Sequence, residues 1–92
     1  MFAPPQVAAV DPDVIDQSAL LITVTGSDFS GVPVIRLINE GFTYNCVGES
    51  FLDENTATAW VIQSQALPGL YDLEYTDVDG QVDILPDAVT IE

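Results

Sequence analysis

The sequence predicts an all-β fold, a sandwich of two antiparallel sheets with about seven strands. Three observations carry that expectation. Short apolar runs alternate with polar residues at a period of two. Gly, Pro, Asn and Asp separate the runs at intervals of roughly 8 to 14 residues. No stretch of about ten residues has the 3.6-residue periodicity of an amphipathic helix. With 92 residues the chain fits a single domain, residues 1–92, and 48% hydrophobic residues supply a core without disulfides or metals. The lone cysteine, Cys46, rules out an intramolecular bridge.

Taken in order, Pro4 and Pro5 hold the chain extended, and Val7-Ala8-Ala9-Val10 reads as a first strand at a sheet edge. Asp11-Pro12-Asp13 breaks it, and the residues to Ser18 read as a polar loop with Val14 and Ile15 folded onto the core. Residues 19–25 form the second strand, with Leu20, Ile22 and Val24 on the core face and Leu21, Thr23 and Thr25 on the other. Gly26-Ser27-Asp28 supplies turn chemistry, and Phe29 plugs the end of the core beneath it. Gly31 and Pro33 punctuate before a third strand at residues 34–38, which carries Arg36.

Asn39-Glu40-Gly41 is a hairpin signal leading into residues 42–47, with Phe42, Tyr44 and Cys46 on one face. Gly48-Glu49-Ser50 reads as a turn, Phe51-Leu52 packs, Asp53-Glu54-Asn55 turns, and residues 56–62 are a fifth strand. After Ala66-Leu67-Pro68-Gly69, the run of residues 70–76 alternates cleanly, with Tyr71, Leu73 and Tyr75 inward and Asp72, Glu74 and Thr76 outward. Asp77-Val78-Asp79-Gly80 makes a hairpin, and the last strand runs from Gln81, kinks at Pro86-Asp87, and ends with Val89 and Ile91 inward.

Four places in this pattern resemble the IPT/TIG group of immunoglobulin-like domains. They are Val10-Asp11-Pro12, Ile22-Thr23-Val24-Thr25-Gly26-Ser27-Asp28-Phe29, Leu67-Pro68-Gly69-Leu70-Tyr71-Asp72-Leu73, and Asp79-Gly80-Gln81 followed by Pro86-Asp87-Ala88-Val89-Thr90-Ile91. The Gly-rich approach to the second strand common in that group is replaced by Ile15-Asp16-Gln17-Ser18, and residues 34–53 have little family signature. The antibody Cys…Trp…Cys framework is absent. The resemblance implies an immunoglobulin-like sandwich and a non-enzymatic module. Such modules serve as spacers and binding units in surface proteins, beside polysaccharide-degrading domains, in transcription factors, and on phage structural proteins.

Charge narrows the partners. Fifteen acidic residues face one basic residue, Arg36, with no Lys or His, for a formal charge of −14. Clustered Lys and Arg are what displace counterions from nucleic acid, so DNA and RNA are excluded, and anionic membranes are disfavoured on the same ground. No apolar run approaches the ~18 residues of a membrane span. Close self-association is opposed at low salt unless the carboxylates avoid the interface or cations screen them.

Candidate sites are few. Asp77-Val78-Asp79-Gly80 with Asp83 has part of a calcium-loop pattern but fits an exposed hairpin turn better, and Asp11, Asp13 and Asp16 fit a turn with capping aspartates. Neither a metal nor a cofactor is expected. Without His, and with carboxylates in turns and on outward strand faces, an enzyme is not expected. Trp60, Tyr44, Tyr71 and Tyr75 would make a sugar-stacking platform only if they faced solvent together; alternation puts Tyr71 and Tyr75 inside, and a strand Trp is expected in the core. Cys46 reads as a small buried hydrophobe, and Arg36 as either a partner for neighbouring carboxylates or an interface contact.

The expected function is therefore a non-catalytic interaction module. Residues 1–6 show no leader pattern, and the chain starts at Met1 and ends where the last strand ends. This suits an accessory or decoration-type subunit at a virion surface, bound to capsid or tail proteins. The alternative is a carbohydrate-binding or spacer module of an extracellular protein. The predicted structural core is Leu20, Ile22, Val24, Phe29, Tyr71, Leu73, Tyr75, Val89 and Ile91.

Overall fold

The longest runs of alternating residues become the central strands. In the computed structural model, which describes residues 4–92, these are β1 (Gln6–Asp11), β2 (Val14–Ile15), β3 (Ala19–Ser27), β4 (Val34–Asn39), β5 (Phe42–Asn45), β6 (Val47–Asp53), β7 (Thr56–Ile62), β8 (Gly69–Thr76) and β9 (Val82–Ile91). A single 3-10 turn, Gln63–Gln65, lies between β7 and β8. The reading of residues 1–3 as leaderless falls outside the described residues.

The strands form a β-sandwich. One sheet has the order β1-β3-β7-β6 and the other β2-β9-β8-β4-β5. Lettered along the chain, the first sheet reads A-B-E-D and the second places G-F-C-C′ side by side, the order of an immunoglobulin sandwich. A second feature of that architecture sits at the start of β8. The Tyr71 hydroxyl donates to the Leu67 carbonyl oxygen, 2.6 Å away and four residues upstream, a tyrosine corner closing the connection from β7.

Period-two alternation fixes which side chains meet between the sheets. Ile22 and Val24 of β3, Tyr71, Leu73 and Tyr75 of β8, and Val89 and Ile91 of β9 are all buried. They pack with Ile35 and Leu37 of β4 and the small inward residues Ala57, Ala59 and Val61 of β7. Phe29 is buried below the loop after β3 and stacks on Tyr75, ring centroids 4.3 Å apart and 19° from parallel. Leu20 is only partly buried and packs on the edge of the cluster.

The structure departs from the sequence reading in five places. There are nine strands, not about seven, because two segments read as connections are paired. Val14 and Ile15 lie beside Thr90 and Ile91 as a parallel pair, so the sandwich is not wholly antiparallel; Ile15 is buried and Val14 faces out. Gly48-Glu49-Ser50 is not a turn but part of β6, since the chain leaves β5 at Cys46, crosses to the other sheet and pairs with β7 through register shifts. Bulges accommodate the extra residues without reversing the chain.

Gly26 is likewise within β3, not in the turn. A Cβ there would fall 1.9 Å from the Gln6 carbonyl oxygen of β1, so glycine is required by close strand approach, and the chain turns only at Asp28, with φ 63°. Pro86-Asp87 does not end a strand. It forms a bulge inside the continuous β9, with Asp87 at φ 52° and its N–H donating to Asp72 Oδ1 at 2.8 Å.

Candidate functional site

The outer face of the four-stranded sheet is where an acidic chain carries almost no acid. Its two central strands turn Leu21, Thr23 and Thr25 outward from β3 and Thr58, Trp60 and Ile62 from β7. Cross-strand register assembles these into rows. Leu21 lies opposite Trp60, and Trp60 opposite Val47 of β6, so three apolar side chains, 39%, 42% and 43% exposed, run across the sheet. The next rows are hydroxyls: Thr23, Thr58 and Ser50, then Thr25 and Thr56. Carboxylates enter only at the rims, with Asp11 beside Thr23 on β1 and Asp53 beside Thr56 on β6.

Trp60 is braced where it lies. Gly48 has φ 63°, and a Cβ on it would come 3.0 Å from Trp60 Cδ1, so the indole rests against bare backbone of β6. That leaves the ring oriented by the sheet while still open to solvent, the state of an anchoring aromatic at an interface. The expectation of Trp60 in the core is thus overturned. Inward room on β7 is taken by Ala57, Ala59 and Val61, each fully buried.

The opposite face is built differently. Its central strand, β8, turns Asp72 and Glu74 outward. Arg36 of β4 lies opposite Glu74 and donates to its Oε1 from Nε at 2.7 Å and from a terminal nitrogen. The chain's one cation therefore answers its own sheet. Val34, Val82 and Ile84 are exposed around that pair. Beyond them an open groove lies between the β4–β5 hairpin and the β9 bulge, lined by Ile38, Glu40, Leu70, Asp72 and Asp87.

The remaining candidates have structural employment. Asp77 is not exposed, as a hairpin turn would suggest, but 4% accessible, and its carboxylate accepts from Ser30 N at 3.1 Å and Val78 N at 2.9 Å, tying the loop after β3 to the β8–β9 hairpin. Asp79 accepts from the Gln81 side chain at 2.7 Å, which holds its carboxyl below the usual value. Asp83 accepts from Val7 N at 2.7 Å and so fastens β1 to β9. Among the described residues, no three acidic or Cys side chains are arranged to share a cation. Asp11, Asp13 and Asp16 are exposed around the β1–β2 break, and the Asp13 carbonyl accepts from Thr90 N at 2.8 Å.

The tyrosines all lie inside. Tyr44 accepts from Ile62 N at 2.8 Å, and burial raises the Tyr44, Tyr71 and Tyr75 phenols above their ordinary value. Trp60 thus stands without aromatic neighbours on its face, and no multi-ring platform forms from these four. Burial pushes the Cys46 thiol up to about 12, with Glu49 adding to it, so the thiolate is scarce at neutral pH.

In comparisons with protein-family models, curated proteins and solved structures, none matches this chain. The outward Trp60 had a signal in the sequence nonetheless. Thr56, Thr58 and Trp60 share one phase of β7, and Ala57, Ala59 and Val61 the other. The hydroxyl phase is the solvent phase.

Proposed function

We propose that this domain is a non-catalytic interaction module of the IPT/TIG-like immunoglobulin type. It serves as an accessory subunit on the surface of a larger protein assembly, such as a virion. The observation that carries this reading is the uncharged outer face of the four-stranded sheet, with Trp60 at the centre of an apolar row. Interface cores are depleted of charge and enriched in aromatic residues, and a Trp braced by its neighbours loses little freedom on docking. The immunoglobulin strand order and the tyrosine corner support the family resemblance. Carboxylates spent on backbone donors support a binding role over a catalytic one. High acidity elsewhere keeps the exposed remainder soluble.

Immunogold labelling of intact particles from the source with antibody to this domain tests the reading. Gold on the outer surface supports it. Particles that stay bare while the free protein labels would overturn it. Trp60 also favours a second reading, an extracellular carbohydrate-binding module, because one exposed indole can stack on a sugar face. Titration with soluble neutral polysaccharide while following Trp60 fluorescence separates the two, and an unmoved spectrum removes the second.

A further inference from the structure

We infer that the outer face of the four-stranded sheet is a self-association surface, on which a second copy of this chain packs face to face. The inference rests on that face being an interface, and it names the occupant. A basic partner would be drawn to carboxylates, and nothing in such an encounter would keep them off the contact. A second copy reverses the requirement. In a two-fold contact each surface meets itself, so every carboxylate at its centre would face a carboxylate, with the desolvation cost of burying both.

This chain has 15 acidic residues and one Arg, already paired with Glu74. It has no cation with which to offset like-charge contact anywhere else. The opposite sheet puts Asp72 and Glu74 on its central strand, whereas the face holding Leu21, Trp60 and Val47 keeps its acids, Asp11 and Asp53, on the two edge strands. It is the broad sheet face on which two such chains meet without buried carboxylates. Trp60 and Leu21 of one copy then cover the same residues of the other, and the threonine rows form the polar surround.

The size of the face sets the strength. Four strands spaced ~4.8 Å apart and about six residue steps along them give a footprint of roughly 19 by 20 Å, below the ~800 Å² per partner of a standard interface. The contact is therefore weak and exchanging. The rest of the surface still repels, so association strengthens as salt is added, the opposite of what a basic partner would show.

Sedimentation equilibrium on the free 9.9 kDa chain at low salt and at about 1 M NaCl, where the screening length falls to about 3 Å, tests this. The weight-average mass is expected to rise toward twice the monomer at high salt. Trp60→Asp and Leu21→Asp should each return it to the monomer, and Ile84→Asp, on the other sheet, should leave it unchanged. Thermal melts confirm that each variant is folded, and amide shift changes on dilution of the unaltered chain, confined to β3, β6 and β7, map the contact without any substitution. A monomer at roughly 1 mM protein in high salt, or a dimer that survives Trp60→Asp and dissolves with Ile84→Asp, would overturn the inference. Particle labelling in the face of a strictly monomeric chain would reject the self-contact and leave the accessory role standing; dimers without labelling would reject the role alone.

Discussion

The hydroxyl of Tyr71 holds the carbonyl of Leu67 at 2.6 Å, across the bend where the chain passes from one sheet to the other. The ring is buried and the bond is the phenol's contribution to the corner. Tyr71→Phe keeps the packing and deletes the bond, so it should cost about 1 kcal/mol in urea unfolding with an unchanged denaturant slope. A loss near zero would mean that water replaces the bond at no cost.

Phe29 is stacked on Tyr75 and closes one pole of the core. Phe29→Ala removes both the buried ring and the stacking partner, and the loss should be about 3–5 kcal/mol, read from the same unfolding curves. A change under about 1 kcal/mol would mean that the loop collapses to fill the space.

Gly26 should tolerate no side chain. Its missing Cβ is occupied by the Gln6 carbonyl, a backbone atom with little freedom to move. Gly26→Ala should cost about 1–3 kcal/mol. Hydrogen exchange should accelerate along the β1–β3 rungs, including the Val10–Val24 pair, while β8–β9 stays protected.

Cys46 makes stability depend on alkaline pH. Its folded pKa is raised from 9.0 to about 12, so the folded state keeps a proton that the unfolded state releases. The stabilisation is complete below pH 9 and is lost as pH rises toward 12; the raised tyrosines act in the same direction from 10 upward. Denaturation midpoints should fall across that window, and Cys46→Ala should flatten its lower part. A thiol reagent at pH 8 should modify Cys46 only after urea is added; ready modification of the folded chain would contradict its burial.

Much of the fold was legible because alternation is a local property. Residues 70–76 carry their inward tyrosines and outward acids in plain sequence, and β3 and β9 do nearly as well. What escaped depends on distant atoms. Gly26 looks like a turn residue because nothing nearby in sequence reveals that Gln6 will pass within touching distance. Gly48-Glu49-Ser50 has turn composition, yet the need to cover β7 recruits it as an edge strand. Val14-Ile15 is too short to announce itself, and only its partner at Thr90 makes it a strand. At the candidate site the information was present but misweighted. The size of Trp60 argued for burial, while its phase with Thr56 and Thr58 argued for exposure, and phase decided.

The parallel pairing of β2 with β9 has a mechanical consequence. Gln6 lies at the Ser27 pole of the sandwich and Ile91 at the opposite one, beside Gly69. Tension between the ends draws β2 backward and β9 forward along the same line, so the rungs from Thr90 to Asp13 and from Glu92 to Ile15 are loaded in shear, together, and not peeled one at a time. Two hydrogen bonds at a two-residue strand thus act as a clasp whose resistance to stretching exceeds its share of the folding energy.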